Sequence, residues 1–528
     1  MVTATRPARR SRAAAGPAEH QRSSDARLAG TVREIAHRHP AVALAIGVVR
    51  DGGLHSFAAH GLADIATARP VTSRTVFRIA SVTKLFTAVA IMQLVERGAL
   101  QLDTPVPDVL RAYRLVPARG VTGVPTIRHL LTHTSGVPEV VRLRDLLHPS
   151  WGSFDSRPAV HSVAAGSPIP ALAEVYGGRL RYVSDPGTAH AYSNHGYATL
   201  GQIVEDVSGL RLDRYLREHI LHPLGMADTA LGTDERTDAR RAVGYEVGPG
   251  GPVPVVEREW VSRGASAISS TVEDLARFAV ALLPDGGGDA QALLDPARLA
   301  TMLEPHWQPH RRVRGMGLGF FLGDIGGHRI AWHDGRLPGY VAMLLLAPDD
   351  GVGVIGIATG APGGASWLPI ELETILAAEL RVRPVSARTD LPQHPESWPA
   401  VIGRYGLTAR VADLRGRVML GGGLEVLVRG GRLVARLRLP MPALRRGVPL
   451  VPDDEHDPLV FRADLSGLGM GTTRVAFAGD AIHTDLGCLS LQRTRPTAGR
   501  RWRRAVVVGS VGAALVALRT RRTGRRRR

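Results

Sequence analysis

Phe77-Arg78-Ile79-Ala80-Ser81-Val82-Thr83-Lys84 is the stretch from which the rest of this 528-residue chain can be read. Lys84 is the only lysine among 66 Lys and Arg residues; every other cationic side chain of that kind is arginine. Arginine keeps its proton in a protein, whereas a desolvated lysine can lose it and act as a base. The single amine falls three residues after a serine. It opens a segment in which Val82, Leu85, Phe86, Val89, Met92 and Val95 recur at helical spacing up to Gly98. On a helix, positions i and i+3 share a face, so the hydroxyl and the amine can meet. The free N–H groups and positive dipole end of the same helix suit negative charge developing beside Ser81. A lysine that merely escaped an arginine-biased composition would be expected on a solvated surface instead.

Composition narrows the class. Hydrophobic residues at 44% and charged residues at 22% describe a soluble globular chain long enough for two or three domains. The net charge of +18 resides in the ends: residues 1–40 carry +5 and residues 493–528 carry +13, so the body between them is neutral. No nucleic-acid partner is therefore expected. Cys488 is the only cysteine, which excludes an intramolecular disulfide and reads as a small buried hydrophobe. Residues 1–24 read as a disordered basic arm, and no apolar core of a secretory signal precedes Pro40. Ala505 to Leu518 is a 14-residue apolar run between arginine clusters. As a helix it reaches about 21 Å, short of a hydrocarbon core of roughly 30 Å. Residues 500–528 are thus a candidate for membrane association rather than a clean span, and the expected location is cytoplasmic or membrane-associated.

Residues 41–61 alternate around Asp51-Gly52-Gly53 and predict a β-hairpin; a second is predicted near 339–359, with its turn at Pro348-Asp349-Asp350-Gly351. An amphipathic helix is predicted at 271–284 and a further helix at about 367–380, with helix and loop between 103 and 265. Strands at both ends of this region imply an α/β (α+β) unit over 25–383: an antiparallel sheet flanked by helices, with a mostly helical insert. Pro384 to Pro399 reads as a Pro-rich linker. Residues 400–492 read as a small all-β, barrel-like domain, and 493–528 as an Arg-rich tail.

Three further segments carry chemistry. Tyr192-Ser193-Asn194 offers a phenol, which a nearby ammonium would push toward phenolate, and an amide able to donate and accept. His333-Asp334-Gly335 lies on a strand-like stretch. Gly335 permits close approach of a substrate, and the N–H of Arg336 could complete an oxyanion hole with that of Ser81. Ile127-Arg128-His129-Leu130-Leu131-Thr132-His133-Thr134-Ser135-Gly136 holds two histidines at i, i+4, yet no third-ligand motif accompanies them, so a structural role is expected and no metal. No cofactor pattern is read.

With Pro223-Leu224-Gly225-Met226, these ordered segments over roughly 25–385 resemble the serine β-lactamase and penicillin-binding-protein superfamily, specifically its class C β-lactamase-like branch with esterases and D-aminopeptidases. The resemblance implies Ser81 as the acylated nucleophile, Lys84 as its partner and Tyr192 as general base. It further implies Asn194 as a substrate contact and 333–335 as a third motif lining the site. One departure stands out. The antibiotic-hydrolysing members carry Lys-Thr-Gly where this chain has His333-Asp334-Gly335, and an imidazole is only partly charged near neutral pH, which disfavours efficient β-lactam hydrolysis. The expected function is a serine hydrolase working through an acyl-enzyme on small esters, amides or D-amino-acid peptides. Alternatives are a true β-lactamase or penicillin-binding DD-peptidase, and a catalytically idle, membrane-tethered binding protein. An α/β-hydrolase is excluded by the lack of Gly-x-Ser-x-Gly.

Overall fold

The computed structural model describes residues 17–139, 162–283, 293–383, 390–407, 423–437, 446–468 and 471–494. The readings made for the tail at 495–528, its apolar run included, lie outside these residues. Among the described residues no helix is long and apolar enough to cross a membrane.

The two predicted hairpins form and build the centre of one sheet. Ala43–Arg50 pairs with Gly53–Asp64 across the Asp51-Gly52 turn, and Tyr340–Ala347 with Val352–Thr359. The hairpins join edge to edge, because Ala43–Arg50 also pairs antiparallel with Val352–Thr359. His328–Leu337, Phe321–Ile325 and Gly315–Met316 extend one side and Arg69–Pro70 the other, giving eight antiparallel strands. Helices cover both faces. Leu44, Ile46 and Val48 pack with Leu28, Val32 and Ile35 of the Pro17–Arg38 helix and with Leu368 and Leu372 of the Leu368–Glu379 helix. Ala43, Ala45 and Val49 face the other way, into the core that holds the Thr83–Glu96 and Val272–Ala281 helices. This two-sided cover explains why Tyr340–Ala347 and Val352–Thr359 run apolar from Val341 to Ala347 and from Val352 to Ala358 rather than alternating: every residue of both strands is buried.

The Pro17–Arg38 helix includes the last positions of the stretch 1–24, and residues 1–16 lie outside the described residues. In the Thr83–Glu96 helix burial extends beyond the apolar stripe: Thr83 through Val95 are all buried, as befits a central helix. Among the described residues of the insert, helices such as Asn194–Ser208 alternate with loops and short ladders, such as Arg114–Pro117 parallel to Arg179–Tyr182.

Among the described residues, eight strands from Gly403–Gly406 to Ser490–Arg493 form a closed barrel in sequence order, sealed by Tyr405↔Arg493 and Gly406↔Gln492. Gly430 and Gly431, both at positive φ, make the tight turn between Leu424–Arg429 and Arg432–Leu437. The interior is filled by Tyr405, Val426, Leu433, Leu450, Phe461, Phe477, Ile482 and Leu491, and Trp398 from the Pro-rich stretch packs with them. The barrel meets the sheet's edge through Asp485, whose carboxylate accepts from Arg314 N at 2.7 Å, and through buried Cys488.

Candidate active site

Ser81 is held in a 3-10 turn, Ala80–Val82, that leads directly into the Thr83–Glu96 helix. Ala80 adopts a left-handed backbone, φ 52°, which turns the chain sharply just before the serine. The turn is pinned from the neighbouring Ile268–Ser270 strand: Ile79 N donates to Ile268 O at 3.0 Å and Ile268 N donates to Thr83 Oγ1 at 3.0 Å. Lys84, one turn further on, is completely buried. Its Nζ donates to Ser81 Oγ at 3.1 Å, to Asn194 Oδ1 at 2.6 Å and to the Ala265 carbonyl at 3.0 Å, so all three donor positions of an ammonium are matched. Burial brings this amine down to about 7, against the opposing pull of the Glu139 and Asp334 charges.

Tyr192, Ser193 and Asn194 lead into the Asn194–Ser208 helix, whose N-cap is Ser193; its hydroxyl accepts from Gly196 N at 3.0 Å. The Lys84 Nζ stands 4.8 Å from the centre of the Tyr192 ring and 5.5 Å from that of Tyr197. The surroundings of the Tyr192 phenol run against the expected drive toward phenolate: burial raises it well above its ordinary value, and the Asp334 and Glu139 charges add to that, while a hydrogen bond with Ser81 opposes it.

The sheet supplies the opposite wall. His328–Leu337 pairs with Phe321–Ile325 only as far as Trp332, so beyond that point its ladder continues on one side alone, toward Tyr340–Ala347. The uncovered part carries His333, Asp334, Gly335 and Arg336. Gly335 lies so close to the serine turn that a Cβ there would stand 2.8 Å from Ser81 N. His333 is buried, its ring centre 6.2 Å from that of Tyr192, and burial lowers it to about 4, so it is neutral near pH 7. The Arg336 guanidinium turns to Asp334 at 3.5 Å.

His129 and His133 do not converge. His129 completes a capping box with Thr126, while His133 accepts from Ser193 N at 3.1 Å and packs against Tyr192, ring centres 4.3 Å apart and planes tilted by 34°. Among the described residues no group of three ligand-type side chains could hold a metal ion. One residue escaped the sequence reading. Glu139 is fully buried, and its carboxylate accepts from Asn194 N and Nδ2, both at 2.6 Å. It sits in a loop three positions after Gly136, with no periodicity or motif to mark it.

The family model described as Beta-lactamase matches residues 28–378. Penicillin-binding protein 4 of Amycolatopsis lactamdurans is 32% identical over 328 residues, which are 60% of this chain and 80% of that protein. Of several other curated relatives the chain spans between 54% and 61%. Among solved structures, EstCE1, "a hydrolase with promiscuous acyltransferase activity", superposes with a TM-score of 0.56 at 20% identity, covering 67% of this chain and 98% of that one. The D-amino acid amidase of Ochrobactrum anthropi SV3 superposes at 0.52 and 24% identity with the same coverage. Those two show likeness of fold. From the family match and the sequence relatives, the chain belongs to the beta-lactamase family, within the superfamily of serine hydrolases that includes the penicillin-binding proteins.

Proposed function

We propose that the protein hydrolyses small esters, amides or D-amino-acid peptides through an acyl-enzyme on Ser81. The observation that carries this reading is the 3.1 Å contact between Ser81 Oγ and a buried amine brought to about 7. At that value a substantial fraction of Lys84 is neutral at physiological pH, and its lone pair can take the Ser81 proton as Oγ bonds to the substrate carbonyl carbon. Tyr192, protonated near neutral pH, then donates its proton to the leaving oxygen or nitrogen as the carbonyl–leaving-group bond breaks. The Lys84 ammonium then gives its extra proton to the Tyr192 phenolate, which restores the neutral amine and the phenol. In deacylation water gives its proton to Lys84 and attacks the ester, and Oγ departs with a proton. The backbone N–H groups of Ser81 and Arg336 are the proposed oxyanion donors, supported by the close approach at Gly335.

Amide and ester substrates are favoured by the fold likeness to a D-amino acid amidase and to EstCE1. Penicillin binding is the competing reading, favoured by the name of the Amycolatopsis relative. A neutral, buried His333 offers no fixed positive charge to a β-lactam carboxylate, which weighs against it. Labelling by a fluorophosphonate tests the nucleophile. Wild type is expected to be labelled and Ser81→Ala not; equal labelling of both overturns the assignment. Turnover of a panel of esters, D-peptide amides and penicillins then ranks the substrate classes, and penicillin turnover matching the best ester would promote the competing reading.

A further inference from the structure

We propose that Glu139 is a positioning residue of this site: its carboxylate fixes the Asn194 amide and, through it, the Lys84 amine. The inference rests on the roles proposed above for Ser81 and Lys84. A carboxylate only accepts hydrogen bonds, so the end of the Asn194 side chain facing it must be Nδ2. Glu139 Oε1 takes that bond at 2.6 Å and Oε2 takes the backbone N–H of the same residue, also at 2.6 Å. The amide oxygen is thereby left to face Lys84 Nζ at 2.6 Å. Reversing the amide would set Nδ2 against Nζ, donor to donor, and Oδ1 against the carboxylate, acceptor to acceptor. One buried acid therefore decides how the amine is held, and with it the direction from which Nζ meets Ser81 Oγ.

The same charge bears on the amine's proton. Lys84 is faced by Ser81 on its own turn, by Tyr192, Asn194 and Tyr197, by the Ala265 carbonyl, by His133, by His333 and Asp334 of the sheet, and by Glu139. Burial holds both histidines well below their ordinary value, so Glu139 and Asp334 are the negative charges that counter desolvation of the ammonium. Removing the charge at 139 lowers the pH at which Lys84 gives up its proton. A residue that merely satisfied the first N–H of the Asn194–Ser208 helix would change stability and leave that pH alone.

The test compares wild type, Glu139→Gln, Glu139→Asp and Ser81→Ala by fluorophosphonate labelling rate against pH, and by kcat and KM on the best ester of the panel. Glu139→Gln is expected to lose about tenfold or more in kcat with KM within roughly threefold. The acid limb of its labelling profile moves to lower pH. Glu139→Asp keeps the charge at a shorter reach: its acid limb stays at the wild-type position while kcat falls. An unmoved acid limb or wild-type kcat in Glu139→Gln overturns the proposal. Should Glu139→Gln fail to fold, unchanged kcat in Glu139→Asp overturns it by itself. Labelling of Ser81→Ala like wild type sinks the nucleophile assignment, whereas Ser81-dependent labelling with an unresponsive Glu139→Gln sinks this inference alone.

Discussion

Because the chain has one lysine, protein grown on lysine labelled with 13C at Cε carries a single labelled side chain, and its resonance reports one titration. Burial moves the Lys84 amine from an ordinary 10.5 to about 7, with the Glu139 and Asp334 charges pulling the other way. The displacement, about 3.5 on the pH scale, corresponds to roughly 5 kcal/mol in favour of the neutral form at about 1.4 kcal/mol per tenfold. At pH 8 an ordinary lysine is neutral in about one molecule in 300, and Lys84 in about nine of ten. The expected midpoint of the Cε shift lies between about 6 and 8, and the acid limb of Ser81 labelling shares it. The linked effect on stability has a definite sign. The native amine binds its proton more weakly than the unfolded one, so between about pH 7 and 10.5 the unfolded chain holds more protons and the native state gains with rising pH. Relative to Lys84→Met, wild type should gain up to about 1.4 kcal/mol per pH unit across that window, and nothing below it. A Cε midpoint above 9, or wild-type and Lys84→Met stabilities that run parallel from pH 6 to 9, would refute the buried-base argument.

Other perturbations read other parts of the frame. Gly335→Ala sets a Cβ 2.8 Å from Ser81 N, so the serine turn must shift; labelling should slow on the order of a hundredfold with the unfolding temperature within a few degrees, and a wild-type rate would contradict the close approach. Ala80→Gly relieves the left-handed backbone at φ 52° and is expected to stabilise the fold by roughly 0.5–1 kcal/mol in a thermal melt; a loss of similar size would show that the methyl group matters more than the strain. Burial pushes the Cys488 thiol up to about 12, so a thiol-reactive dye should label it only as the protein unfolds; reaction within minutes at pH 8 in the native state would mean that the barrel's contact with the sheet opens readily.

Both central hairpins were legible because turn residues and apolar runs are local signals. Asp51-Gly52 and Asp349-Asp350-Gly351 turn the chain where the sequence says they must. The barrel-like character of residues 400–492 was legible from short strands punctuated by glycine; the pairing that seals it, Tyr405↔Arg493, was not, since it depends on accumulated twist over the strands rather than on any one window. The contact of Ser81 with Lys84 could be foreseen from i, i+3 geometry on one helix. The state of Tyr192 could not: its ionisation depends on how completely neighbours from three distant segments exclude water. Glu139 was invisible for a related reason. A carboxylate in a loop carries no period, and its importance lies in which amide the folded chain brings to it. The buried back of the Thr83–Glu96 helix was likewise unreadable, because Thr87 and Gln93 look solvent-facing until their partners, the Gly264, His219 and Leu293 carbonyls, are known.

The register Ala43↔Thr359 joins positions about 300 apart in the chain. During synthesis at roughly 5–20 residues per second, the Ala43–Arg50 strand waits some 15–60 s for its second neighbour to emerge. Throughout that interval a ribbon that is apolar from Ala43 to Val49 offers one unpaired edge to any passing chain. Biogenesis, more than the finished molecule's resilience, is then the vulnerable stage: yield in a heterologous host should track translation speed and holdase supply.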